Sequence, residues 1–283
     1  KIMKTWKKIV LGVSLISLFL GGGLVAWGYS QGGLTDLQNQ TKSEQDYVKK
    51  EVKDFNKIDI KSSSYNVLIK NGEVDKATLS YYQKTKNPID TSVKDGQLTI
   101  NDNNSELDST SNKHINFFGL KDLVRLSTLN KEVRNKTIVI TLPKKQTIDF
   151  LKVDLATGNL DLSNSTIKQA DINLNVGDLT FTKMIVSNLK ANLDVGSVDS
   201  DHTLFTNSDL SIAMGDYSGD NLIFNGHNKL DVTSGDIELA LKDYTLNVQA
   251  DSHSGEVDIT NNLKISKDNT LTITSDLGDI TVE

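Results

Sequence analysis

Glycine returns along the second half of this chain at Gly158, Gly177, Gly196, Gly215, Gly235, Gly255 and Gly278, at intervals of 19, 19, 19, 20, 20 and 23 residues. Around these glycines the pattern is apolar-x-apolar-x-x-Gly-polar-apolar. Five residues before the glycine stand Val153, Ile172, Ala191, Leu210 and Leu230. Three before stand Leu155, Leu174, Leu193, Ile212 and Val232, and two after stand Leu160, Leu179, Val198, Tyr217, Ile237, Val257 and Ile280. Alternation of period two makes each block a strand with one buried face. The apolar positions are odd before the glycine and even after it, so the chain must turn a corner there. A period of about 20 residues is too short for a strand-helix-strand unit, which needs roughly 30. It suits one coil of a β-solenoid, in which equivalent strands stack about 4.8 Å apart and equal columns become continuous apolar ribs. A β-sandwich allows strands of this length but leaves the full period unexplained.

A second apolar cluster lies between successive glycine blocks: Ile167, Ile185 with Leu189, Leu204 with Phe205, Leu222 with Phe224, and Leu263 with Ile265. Residues 150–283 therefore read as regular glycine-cornered repeats. Residues 55–149 read as a less regular β region, with a corner at Ser62–Ser64 and a loop or cap over 101–136 that includes the amphipathic stretch Ile115–Leu126. The chain holds no cysteine and only two prolines, Pro88 and Pro143. Burial and ladder hydrogen bonds must hold such a fold without disulfides.

Ile9 to Tyr29 carries no charge, and Lys1, Lys4, Lys7 and Lys8 precede it. As a helix this segment would span roughly 32 Å, close to the hydrocarbon thickness of a bilayer. The expectation is a cytoplasmic basic tip at 1–8, a retained single-pass transmembrane helix at 9–29, and everything beyond it extracytoplasmic. Ala26-Trp27-Gly28 offers a signal-peptidase site as the rival reading, but the apolar stretch exceeds the usual length of a signal peptide core. Gly21, Gly22, Gly23 and Ala26 could form a small-residue dimer face, or be ordinary glycine usage in a membrane helix. Polar residues 30–54 read as a tether, with a short helix expected around Ser43–Lys53.

The formal charge is −6, the basic tip contributes four positive charges, and the only arginines are Arg125 and Arg134. A body this acidic excludes nucleic acid as partner and disfavours simple electrostatic adhesion to polyanions. The histidines His114, His202, His227 and His253 lack metal-ligand spacing, and no nucleophile elbow, phosphate loop or dinucleotide fingerprint occurs. Asn159, Asp178, Ser197, Asp216, Asp236, Glu256 and Asp279 each follow a repeat glycine, so stacked coils would align them in a ladder. Such a ladder could offer oxygen ligands to Ca²⁺, or serve local backbone hydrogen bonding as Asp and Asn do in turns. The second reading is adopted. No catalytic, cofactor-binding or metal-ligating residue is assigned, and no cofactor is expected.

The segments I-D-I-K-S-S-S-Y-N-V-L-I-K-N-G, D-G-Q-L-T-I and I-V-I-T-L-P-K-K, followed by the glycine repeats, resemble the "putative adhesin" or toast-rack family of β-strand repeats over residues 55–283. In layout the chain is similar to Lia-type membrane-anchored proteins of the Gram-positive cell envelope. The resemblance implies an all-β, non-catalytic extracytoplasmic module that senses or scaffolds under envelope stress. It would be anchored in the membrane and contact a wall component or an envelope protein. Adhesion to a wall or host ligand is the alternative, and a polysaccharide-active β-helix enzyme a more distant one. The family supplies no catalytic residues to carry over. The repeat pattern runs to Glu283, with Leu271, Ile273, Ile280 and Val282 in core columns. The C-terminal coil is therefore expected to end the stack and offer an open edge for self-association or a partner.

Overall fold

A computed structural model describes residues 45–84, 87–102 and 136–283, all within the compact unit Gln45–Glu283. Those residues form strands, turns and loops with no helix. None of their elements is thus a helix long and apolar enough to cross a membrane. The expected basic tip, membrane helix and cap at Ile115–Leu126 lie outside them, as does the tether up to residue 44.

The N-terminal strands are β1 (Gln45–Glu51), β2 (Lys57–Ser62), β3 (Asn66–Gly72), β4 (Thr78–Lys84), β5 (Asp90–Lys94), β6 (Gln97–Asn101), β7 (Thr137–Pro143) and β8 (Thr147–Ile148). Regular coils follow. The first is β9 (Phe150–Thr157), β10 (Leu160–Ser163) and β11 (Thr166–Ile167); the second is β12 (Ala170–Val176), β13 (Leu179–Thr182) and β14 (Ile185–Ser187). The third is β15 (Leu189–Val195), β16 (Val198–Asp201) and β17 (Leu204–Thr206). In the fourth, β18 (Asp209–Met214) leads into β19 (Tyr217–Asn225), which serves two sides of the coil. Last come β20 (His227–Ser234), β21 (Ile237–Leu241), β22 (Asn247–Ser254), β23 (Val257–Ile259), β24 (Thr270–Leu277) and β25 (Ile280–Val282).

Each regular coil has three sides. Parallel pairing of β9, β12, β15, β18 and β20 builds the long side, and β10, β13, β16, β19 and β21 the side after the glycine. The third side stacks β8, β11, β14, β17 and the end of β19. This is the solenoid that the period predicts. The inward columns are continuous: Val153, Ile172, Ala191, Leu210 and Leu230 follow one another in register, each under 5% exposed. Burying a side chain of this kind contributes about 2 kcal/mol. On the third side the rib is Ile148, Ile167, Val186, Phe205 and Phe224. Phe205 meets Phe181 edge-on at 5.3 Å and stacks on Phe224 at 5.7 Å. The sequence reading placed Ile185 in this rib, but Ile185 is exposed and Val186 is buried. A strand of three residues carries too little alternation to fix its phase.

The glycine corner explains the period. Gly158, Gly177, Gly196, Gly215, Gly235 and Gly278 have φ between 139° and 151°. A Cβ on Gly196 would lie 2.0 Å from the carbonyl oxygen of Gly177 in the coil below. Glycine is therefore required both by backbone conformation and by the approach of the next coil. The other two corners use left-handed residues instead, Asn164, Lys183, His202 and Asn221 at one, and Asn188, Asn207 and Gly226 at the other.

Two expectations about the ends are corrected. Residues 45–51 are not part of a helical tether: β1 pairs antiparallel with β4, and Val52 and Phe55 enter the core. The region after residue 55 supplies two further coil layers, β2 with β3 and β6 with β7, closed by antiparallel β5 on one side and by β4 and β1 on the other. At the opposite end the C-terminal coil is not terminal. β24 lies between β20 and β22, and β25 between β21 and β23. The chain passes from β21 to the outermost layer and returns to fill the gap. Ile280 and Val282 are consequently buried, and the outermost layer is β22 with β23.

Candidate functional site

The ladder after the glycines assembles as the column predicts. Asn66 Oδ1 accepts from the Asn159 N–H at 2.9 Å, Asn159 Oδ1 from Asp178, Asp178 Oδ1 from Ser197, and Ser197 Oγ from Asp216 at 3.3 Å. Asp216 Oδ1 then accepts from Asp236, Asp236 from Asp279, and Asp279 from Glu256 at 2.8 Å. Each oxygen thus caps a backbone N–H of the next coil. One acceptor of every carboxylate in the ladder but Glu256 is used in this way, and the ladder supplies no convergent ligand set.

The N-terminal layer turns its corner between β2 and β3 without glycine. Ser62 and Ser63 donate their hydroxyls to Asp102 Oδ2 at 3.1 Å, and Ser62 Oγ accepts from the Tyr65 N–H at 3.0 Å. Tyr65 donates to the Tyr82 carbonyl at 3.0 Å, and burial with the nearby Asp102 pushes its phenol up to about 12.

A surface cleft of about 300 Å³ lies along the corner between the second and third sides, towards the N-terminal coils. The turn between β7 and β8 supplies Lys144, Lys145 and Gln146; the αL corners supply Asn164 and Lys183. Asn71, Thr147, Ser165, Thr166 and Ile185 complete it. Its polar frame is tied together: Asn71 donates to the Lys144 carbonyl at 3.1 Å and accepts from Ser165 Oγ at 3.0 Å. Lys144 pairs with Glu73 at 2.8 Å. The lining offers ammonium groups, amides and hydroxyls, which suits a hydrated polar or anionic group held by hydrogen bonds. Of these residues the sequence singles out only Ile185, and that as a core position rather than as part of a site. The Lys144-Lys145 pair was visible, but Lys183 joins it only because one coil stacks on the next.

Among the described residues, Asp201, His202 and Asp220 form the one group of three potential metal ligands whose donor atoms lie within 4.8 Å of one another. His202 Nδ1 lies 2.6 Å from Asp201 Oδ1, and Asn221 donates to Asp220 at 2.7 Å. Asp201 and Asp220 are 19 residues apart, in one column, so the period itself held the signal. His227 lies 3.0 Å from the Thr270 hydroxyl, in another part of the stack.

Asp161 differs from every other acid described here. It alternates with core residues Leu160 and Leu162, flanked in register by Leu68 and Thr180, yet it is fully buried. Neither carboxyl oxygen has a hydrogen-bond partner, and burial pushes its carboxyl up to about 6 against the opposing pull of Lys70. Tyr217 is buried too, and burial raises its phenol although it donates to Ser200 Oγ at 3.0 Å.

Comparison with known families matches residues 55–283 to the family described as Toastrack DUF4097. No curated protein matches the sequence. Among solved structures, a "putative cell adhesion protein" from Clostridium sporogenes is 17% identical, with 84% of this chain and 99% of that one covered and a TM-score of 0.37. A "putative adhesin" from Bacteroides fragilis is 15% identical, covering 86% and 98% with a TM-score of 0.37. A "putative lipid binding protein" from Parabacteroides distasonis is 10% identical, covering 86% and 98% with a TM-score of 0.36.

Proposed function

Because this chain belongs to the Toastrack DUF4097 family, we propose that it is a non-catalytic binding module of the cell envelope, held at the membrane by residues 9–29 and acting in envelope-stress sensing or scaffolding. The observation that carries this reading is the solenoid interior. Apolar ribs fill it, so recognition falls to the outer faces and above all to the lysine-bearing cleft at Lys144, Lys145 and Lys183. Wall material or an envelope protein bearing polar or anionic groups fits such a surface. The lysines before residue 9 support an extracytoplasmic body.

The test is a deletion strain challenged with cell-wall antibiotics. Altered sensitivity, restored by the wild-type chain but not by a Lys145→Glu, Lys183→Glu variant that still reaches the membrane, supports the proposal. Unchanged sensitivity and an unchanged envelope-stress response would sink it. Protease added to intact protoplasts should degrade the body; protection of the body would refute the topology. Strong antibody labelling of intact cells without wall digestion would instead favour adhesion.

A further inference from the structure

The two ends of the stack are finished differently. Antiparallel β5, β4 and β1 close the layer formed by β6 and β7. At the other end, among the described residues, β22 pairs with β24 alone and β23 with β25 alone. Core columns surface there: Val248, Ala250 and Ile259 are half-buried and Val257 is exposed. The Asn247 N–H donates into the stack, to Asn269. Alternation along the strand turns the N–H and C=O groups of Val248, Ala250 and Ser252 to the open side. Proteins usually blunt such an edge with lysine or proline. Residues 247–259 contain no lysine, arginine or proline.

We propose that two copies of this chain pair antiparallel through β22, about a two-fold axis at Ser252. Charge selects the occupant and the register. Gln249, Asp251 and His253 face outward on β22, alternating with Val248, Ala250 and Ser252. An axis at Asp251 would oppose two carboxylates, and an axis at His253 two imidazoles. An axis at Ala250 would set Gln249 against Asp251 and leave His253 opposite Asn247. The axis at Ser252 sets Asp251 of each copy opposite His253 of the other, twice over. It also makes Ser252 a hydrogen-bonded pair, because its backbone groups are among those on the open side. The contact is isologous, so it closes at two copies. This inference is independent of the proposed ligand cleft, which lies towards the capped end.

The chain has no cysteine of its own, so introduced thiols report without background. Asp251→Cys and His253→Cys are made separately in the full chain, purified in detergent and oxidised alone and mixed. A disulfide-linked dimer in the mixture, and little in either single sample, is the expected result. Sedimentation should show the wild-type dimer weakened about tenfold by Asp251→Lys and largely recovered when His253→Asp is added. Both positions are exposed, so the fold should be unaffected. A wild-type chain that stays monomeric, cross-linking equal in the single and mixed samples, or a dimer indifferent to Asp251→Lys would each overturn the proposal. A dimer made through the membrane segment would not join the two variants selectively.

Discussion

At the scale of the residue, two positions carry unusual energetic weight. Gly196 has φ of 147° and sits where a Cβ would lie 2.0 Å from the Gly177 carbonyl oxygen. That oxygen belongs to backbone pinned on both sides, so it cannot move away. Gly196→Ala should cost more than about 3 kcal/mol in a denaturant titration. Ser197→Ala, one residue later, removes only the 3.3 Å acceptor for Asp216 and should cost about 1 kcal/mol. Equal losses would refute the stacked corner. Asp161 is the second position. Its carboxyl is pushed up to about 6 in the folded state, against about 4 when unfolded. Between those values the folded chain binds more protons than the unfolded chain. Stability from this group is therefore complete below about pH 4, falls as pH rises through 6, and stays lower above. Asp161→Asn should raise the Tm by about 5 °C at pH 8 and give no such gain at pH 4. A gain independent of pH would mean that ionisation is not the cause.

At the scale of the element, each long-side strand has a core face and a solvent face. Leu193 is 2% exposed and stacks between Leu174 and Ile212, whereas Asp194 beside it is exposed. Leu193→Asp buries an unpaired carboxylate in mid-stack and should cost several kcal/mol by thermal unfolding, while Asp194→Lys should change stability by less than about 0.5 kcal/mol. Long strands showed their phase in the sequence because five to eight residues carry two or more full alternations. The short third side did not. Thr166–Ile167 and Ile185–Ser187 are too brief, and Ile185 and Val186 were equally apolar candidates.

At the scale of the molecule, the order of layers differs from the order of the chain. β24 is the second last layer and has a partner on both edges; β22 has one. Native-state hydrogen exchange should show the amides of Leu271 to Ser275 protected to nearly the level of β18. The open-side amides of Val248, Ala250 and Ser252 should exchange much faster in the monomer. A C-terminal strand that exchanged first would contradict the inserted layer. The cleft is equally a product of layering. Lys144 and Lys183 are 39 positions apart, and only stacking puts them along one corner.

The amino-acid sequence by itself determined the coil. The glycine period, the alternation on either side of it and the column of turn-forming Asp and Asn specify strand, corner and inward face, because each depends on residues within about 20 positions of one another. Its likeness to the toast-rack family followed from the same local pattern. Tertiary structure alone decided which coil lies beside which. β20, β22 and β24 share the same alternation and align in one register, so the period alone does not say which of them are neighbours. The longer connection from Thr260 to Asn269 lets the last coil return inside the outermost one. That return buries Ile280 and Val282 and leaves the edge of β22 open. Pairing partners in a parallel stack are chosen by loop reach and by which layers meet, and neither quantity is written in the periodicity.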